Sequence, residues 1–163
     1  MPDQIVTRIV PLLAKTLSSP RQLLLRADLD LWVLDKHGRD LWVNFRVDPG
    51  SEVSMMPLGF AKELGIDCSA EMVDIQINGI TCDVVLGAID AKVSLSNRSL
   101  RVPILFKKEE GPTPGATQLT GGVNLLGLAG VVDKLRLTFD GQRTTPLAPF
   151  GVLIVEEIAY QPS

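Results

Sequence analysis

The stretch Leu41-Trp42-Val43-Asn44-Phe45-Arg46-Val47-Asp48-Pro49-Gly50-Ser51 alternates apolar and polar residues as far as Val47 and then turns. Such alternation is the mark of a half-buried strand, so the carboxylate of Asp48 is expected at a strand's C-terminal end, just ahead of a glycine turn. Asp, Pro and Gly are also what a plain β-turn asks for: a side-chain acceptor, a preset φ and a residue that tolerates φ > 0. Whether Asp48 does chemistry or only turns the chain therefore depends on the sequence around it.

Upstream, Leu31-Trp32-Val33 and Leu41-Trp42-Val43 flank the turn-rich Asp35-Lys36-His37-Gly38-Arg39-Asp40, which predicts a hairpin over residues 23–47. Centred on His37-Gly38, that hairpin sets Val33 opposite Trp42 and Trp32 opposite Val43, with the tryptophans on opposite faces. His37 is the single histidine and stands at the turn tip, so Ser-His and Cys-His mechanisms lack a base. Downstream, Glu52-Val53-Ser54-Met55-Met56 is another short alternating run. Residues 57–65 predict one or two helical turns, with Pro57 at the first helical position and Gly65 as the stop.

Residues 71–85 alternate around Ile77-Asn78-Gly79-Ile80, and Asn-Gly between apolar residues is a strong signal for a tight type I′ hairpin. Two further strands are expected at 88–95 and 100–106, around Ser96-Asn97-Arg98-Ser99. Residues 107–122 form the longest stretch without a pattern, a length usual for functional or mobile loops, and no Gly-Lys-Ser/Thr makes them a phosphate loop. Val123-Asn124-Leu125-Leu126-Gly127-Leu128 reads as a short buried strand, 129–134 as a helical turn, and Leu135-Arg136-Leu137-Thr138-Phe139 as a strand closed by Asp140-Gly141. Six or more strands with little helix mean an all-β barrel or sandwich.

At the ends, residues 3–17 carry Ile5, Val6, Ile9, Val10, Leu12, Leu13 and Leu17 in a partial helical period, although Pro11 falls inside it. The organisation expected is an N-terminal arm with a short amphipathic helix over 1–22, a β domain over 23–141 and a tail over 142–163. The apolar tail segment Gly151-Val152-Leu153-Ile154-Val155 reads as a strand in need of a partner.

Composition narrows the function. The chain has 163 residues, enough for one domain with a real core. Its formal net charge is −3 and aromatics are 5%, with no basic run beyond Lys107-Lys108, so no nucleic-acid surface is indicated. Cys68 and Cys82 lie in no metal-ligand spacing and make no disulfide framework, so neither metal nor cofactor is implied. Asp3, Arg8, Pro11 and Lys15 interrupt the apolar N-terminus, which is neither a signal segment nor a membrane span; a soluble cytoplasmic protein is expected.

Taken in order, a hydrophobic strand into Asp48-Pro49-Gly50-Ser51, a hairpin tipped by Asn78-Gly79 and the run Asn124-Leu125-Leu126-Gly127 resemble the single-lobe, retropepsin-like aspartic proteases over residues 24–141. The resemblance implies a closed all-β barrel of the acid-protease type, with one or two short helices and a flap hairpin whose tip, Ile77 to Ile80, meets substrate. It implies Asp48 as the catalytic acid in the turn Pro49-Gly50-Ser51, and Leu125-Leu126-Gly127 as the family's second signature strand. Two carboxylates about 3 Å apart share one proton, and the ionised one activates a water. With one Asp-x-Gly-Ser element in the chain, the second acid has to come from another copy. A C₂ homodimer acting on an extended peptide follows, its interface woven from chain termini that would partner the strand at 152–155. Asp74, Asp83 and Asp90 lie on alternating strands and read as solvated.

Three positions depart from the family pattern. Pro49 stands where the family has Thr or Ser, whose hydroxyl and backbone N–H cross-link the subunits. Leu128 stands where retroviral members usually have Arg, which leaves Glu52 without that partner. Arg46 shares a strand face with Asp48, and a nearby guanidinium favours two ionised acids over a shared proton. The alternative they support is a weak or inactive module for dimerisation or peptide binding.

Overall fold

The computed structural model describes residues 4–18, 21–67, 73–77, 80–94, 98–108 and 124–158. Strands dominate: β1 Gln4–Pro11, β2 Leu13–Ser18, β3 Arg21–Leu34, β4 Asp40–Val47, β5 Ser54–Pro57, β6 Val73–Ile77, β7 Ile80–Lys92, β8 Leu100–Lys107, β9 Leu125–Leu126, β10 Leu135–Asp140 and β11 Val152–Ile158. The helix α1, Gly59–Glu63, packs between β5 and β6 in sequence. Pro57 closes β5 instead of opening the helix, and Gly65 stops it with φ of 74°.

Eight strands form one sheet in the order β2-β3-β4-β9-β5-β8-β7-β6, and β3 also pairs with β7 through Trp32 opposite Lys92 and Val33 opposite Ala91. Alternation explains the core: Leu29, Leu31 and Val33 of β3, Val43, Phe45 and Val47 of β4, and Val102, Ile104 and Phe106 of β8 all point inward and are buried. Each such side chain contributes about 1.5–3 kcal/mol on leaving water.

The second sheet, in the order β1-β11-β10, corrects two expectations. Residues 4–18 are two strands rather than an amphipathic helix. Pro11 lacks the N–H a helix interior requires, and β-branched Ile5, Val6, Thr7, Ile9 and Val10 suit a pleated surface. β1 runs antiparallel to β11 from Gln4 opposite Ile158 to Pro11 opposite Val152, while β2 pairs with the first half of β3. The tail strand therefore finds its partners in its own chain. β11 is central, with β1 on one edge and β10 on the other, and Val152, Leu153 and Val155 are buried.

The β3–β4 hairpin is also shifted by one residue from the register expected. Leu34 pairs with Asp40 and Trp32 with Trp42, so the two rings share a face at 4.4 Å between centroids, edge to face. The cause lies in the loop 35–39. Asp35 Oδ1 accepts the backbone N–H groups of His37 and Arg39, both at 2.8 Å, Arg39 Nε donates to Oδ2 at 3.1 Å, and Gly38 takes φ of 76°. That network favours an odd-numbered loop, and the strands follow. His37 is exposed, as its turn-tip position implied.

Candidate active site

β4 buries Val43, Phe45 and Val47 and so carries Asp48 to its end by period alone. There the chain reverses. Ser51 N–H donates to Asp48 O at 3.1 Å, closing the turn, and Gly50 N–H donates to Asp48 Oδ1 at 3.1 Å. This Asx-type bond orients the carboxylate, and Oδ2 makes no hydrogen bond among the described residues. Ser51 Oγ donates to Val53 O at 2.7 Å and shapes the return into β5. Asp48 is half-buried, whereas Pro49 and Gly50 are exposed, so the acid stands at the rim of the sheet and is open to a ligand.

The two arms of this turn are not hydrogen-bonded to each other directly, because β9 lies between them. It runs parallel to β4, with Val47 opposite Leu126, and antiparallel to β5, with Leu125 opposite Met55. Arg46 N–H donates to Asn124 O at 2.8 Å and Asp48 N–H to Leu126 O at 2.9 Å. Beyond β9, Leu128 N–H donates to Ser51 O and Ala129 N–H to Glu52 O. A short insert thus clamps the Asp48 turn from inside. Gly127 is required where it stands: a Cβ there would lie 2.6 Å from the carbonyl carbon and oxygen of Val53 and 2.8 Å from Ser51 O.

Ser54, which carries no motif signal, and Asn124, the first residue of the second signature run, also belong to the site. Ser54 is fully buried, and its Oγ accepts Gly127 N–H at 2.8 Å. Its signal was legible: Ser54 is in phase with buried Met56, and a polar residue at an inward position needs a hydrogen bond. Asn124 Nδ2 donates to Asn44 O at 3.0 Å, while its Oδ1 is buried with no hydrogen-bond partner among the described residues.

Among the described residues Asp48 makes no ion pair. Arg46 does not form the contact with it that shared phase suggested, and Arg46 Nε is buried without a hydrogen-bond partner among them. Across the sheet Arg46 stands opposite Asp28, which is held by Arg26 at 3.3 Å. Pro49 borders an open groove of about 420 Å³ lined mainly by Leu128, Val132, Leu137, Phe139 and Ile158.

Of the other expected site residues, Leu125, Leu126 and Gly127 are brought against the Asp48 turn. In the β6–β7 pair, Ile77 stands opposite Ile80; Asn78, Gly79 and residues 109–122 of the loop expected over 107–122 lie outside the described residues. On the same hairpin Asp74 stands opposite Asp83, and a hydrogen bond between the two carboxyls, with their mutual repulsion, raises the Asp74 pKa above its ordinary value. Asp90 pairs with Arg101 at 3.0 Å. Among the described residues no cluster of His, Cys, Asp and Glu suits a metal ion, and no helix is long and apolar enough to cross a membrane.

No protein-family model matches the chain, and no curated protein sequence matches it. Its structure is similar to the crystal structure of a retropepsin-like aspartic protease from Rickettsia conorii, with a TM-score of 0.53 and 12% sequence identity, covering 98% of this chain and 95% of that one. At that identity the likeness is one of backbone architecture, and it extends from the first strand to the last. The chain has a mostly β, retropepsin-like fold.

Proposed function

We propose that the protein is an aspartic endopeptidase whose catalytic pair is Asp48 from each of two copies. One observation carries the reading: the carboxylate at the end of β4 is fixed by Gly50 N–H on a turn clamped by β9, and it is not consumed by a cation among the described residues. In this reading the β3–β7 pairing closes the larger sheet into a barrel, and the Pro49-Gly50-Ser51 turn supports the acid. The β6–β7 hairpin, tipped by Ile77, Asn78, Gly79 and Ile80, acts as the flap.

The chemistry follows from repulsion between like charges. Two acids brought within hydrogen-bond distance hold one proton between them and titrate as a unit. The ionised member takes a proton from a bound water, the water oxygen attacks the scissile carbonyl carbon, and the protonated member donates to the carbonyl oxygen. The C–N bond then breaks as the first acid passes its proton to the leaving nitrogen and the second regains its own from the intermediate's hydroxyl. The substrate is an extended peptide that adds as a strand beneath the flap, its backbone pairing and its alternate side chains filling pockets. Neither metal nor cofactor enters the scheme.

The test is cleavage of an unstructured protein from acidic to neutral pH by the wild type and by Asp48→Asn. The variant is expected to lose activity by roughly 10²–10⁴-fold; equal rates would remove Asp48 from the reaction. A second reading, a catalytically weak module for dimerisation or peptide binding, is favoured by Pro49, which has neither N–H nor hydroxyl to cross-link two copies. Peptide binding without Asp48-dependent cleavage would select it.

A further inference from the structure

Arg46 stands two residues before Asp48 on the same face of β4, and the proposed reaction gives it no part. At a rise of about 3.3 Å per residue it lies about 6.6 Å along the strand from the acid. Its neighbours leave it unspent. Asp28, opposite Arg46 in the β3–β4 register, is taken by Arg26 at 3.3 Å, and Asp30 on the same face accepts from Asn44 Nδ2 at 2.8 Å. Among the described residues the Arg46 side chain makes neither an ion pair nor a hydrogen bond, although its Nε is buried. A buried donor without an acceptor is costly, and a ligand that brings an acceptor relieves that cost.

Strand register carries this face onward from Arg46 across the sheet. Arg46 pairs with Leu125 of β9, Leu125 with Met55 of β5, Met55 with Leu105 of β8, and Leu105 with Leu86 of β7. Paired residues share a face, so these five form one row, while the next residues on their strands, such as Val47, point into the core. Leu125, Met55 and Leu105 are half-buried and Leu86 is 58% exposed. The row thus has a cation beside Asp48 at one end, apolar side chains over the rest, and its far end on β7, a strand of the proposed flap.

We propose that Arg46 sets the substrate class: the protein takes extended peptides with Asp or Glu beside the scissile bond, the carboxylate held by the Arg46 guanidinium and an apolar side chain two residues away resting on Leu125 and Met55. The proposal rests on the reading of Asp48 as the catalytic acid. Charge complementarity selects the ligand, because the planar fork of a guanidinium matches a carboxylate through two parallel bonds and repels Lys or Arg. The spacing fits as well. Arg46 and Met55 are two strand spacings apart, about 9.6 Å, and same-side residues of an extended peptide are about 6.8 Å apart, a difference that side chains of this length span. With the acids drawn from two copies, one Arg46 lies on each side of the bond, so a peptide with acidic residues on both sides is the best substrate.

End-blocked peptides with Glu-Glu at the centre of apolar flanks, and the same peptides with Gln-Gln, test this at about pH 6, where Glu is ionised. Gln-Gln peptides with a free C-terminus separate a side-chain carboxylate from a chain end. Binding is read by fluorescence anisotropy in the Asp48→Asn background, and cleavage by initial rates in the active background. The Glu peptides are expected to bind and to be cleaved about 10–100-fold better, the scale of a charge-assisted hydrogen bond. Arg46→Gln should lose that preference, and Arg143→Gln, on an exposed residue, should keep it. Arg46→Lys serves if Arg46→Gln does not fold, with the preference reduced because the planar fork is gone. Equal treatment of Glu and Gln peptides, a preference for the free chain end, or a preference that survives Arg46→Gln would overturn the proposal, and Asp48-dependent cleavage in that case leaves the protease reading standing. Arg46-dependent binding of Glu peptides without cleavage would overturn the protease reading and leave Arg46 as the carboxylate site of a binding module. Binding of none of the peptides would overturn both.

Discussion

The backbone N–H of Gly127 donates to the Oγ of fully buried Ser54 at 2.8 Å, across the seam where β9 is held between β4 and β5. A serine of β5 and a glycine that ends β9 thereby fix the insert that in turn fixes Asp48 through Leu126 O.

Removing either member should loosen the acid before it unfolds the protein. Ser54→Ala leaves the Gly127 N–H buried without an acceptor and is expected to cost about 1–3 kcal/mol in denaturant unfolding. Gly127→Ala is expected to cost more, about 3 kcal/mol, because its Cβ meets backbone of Val53 and Ser51, which no rotamer change relieves. An Ala at either position with wild-type stability would show that the seam does not bear on the fold.

The register of the β3–β4 hairpin predicts a coupled pair of tryptophans. Trp32 and Trp42 are packed edge to face at 63° between planes, so a double-mutant cycle to Leu should return a coupling of about 0.5–1.5 kcal/mol. Their near-ultraviolet circular dichroism should carry an exciton feature that disappears in Trp32→Phe and in Trp42→Phe alike. With the rings on opposite faces, the two changes would be additive in both measurements.

What the sequence made legible and what it hid follow from the range of the interactions concerned. The strand into Asp48 and the Asn78-Gly79 hairpin register rest on period and turn chemistry, which are local, and they are read directly from residues 41–51 and 73–84. The β3–β4 register depended on whether Asp35 would bind two backbone N–H groups, and a cluster of turn residues does not distinguish an odd loop from an even one. Residues 4–18 look helical by local pattern because the partner that makes β1 a strand, β11, lies at the far end of the chain. The apolar pairs Ile5-Val6 and Ile9-Val10 recur at a four-residue spacing that mimics a helical stripe. Ser54 carries no motif signal, since the family pattern marks the acid and the glycines and not the strand that braces them.

The central position of β11 makes the tail part of the monomer's own core. Leu153→Ala is expected to destabilise the chain by about 2–5 kcal/mol, since Leu153 is fully buried among residues of the common core. A chain ended after Phe150 should fail to fold at any concentration, because β1 and β10 lose the strand between them. Were the tail strand instead to take its partner from another copy, the shortened chain would fold as a monomer and give a cooperative melt.

Two aspartates on two hairpins should respond to pH in opposite directions. Asp35 is held below its ordinary value of 3.8, first by the Arg39 backbone N–H and also by His37 N–H and the Arg39 guanidinium. The folded state therefore releases that proton more readily than the unfolded chain, and the stability Asp35 gives the 35–39 loop is present above the ordinary value and lost as pH falls through the lowered one. Asp74 is raised above 3.8 by its hydrogen bond to Asp83 and their repulsion. The folded hairpin holds that proton more tightly, so its contribution is complete below the ordinary value and is lost as pH rises through the raised one. Amide hydrogen exchange, corrected for its intrinsic pH dependence, is expected to show β6 and the start of β7 opening more readily from about pH 4 upward, while the 35–39 loop holds its protection. Asp74→Asn should abolish the trend in β6 and β7, since an amide bonds Asp83 without repulsion. Persistence of the trend in that variant would assign it to another group.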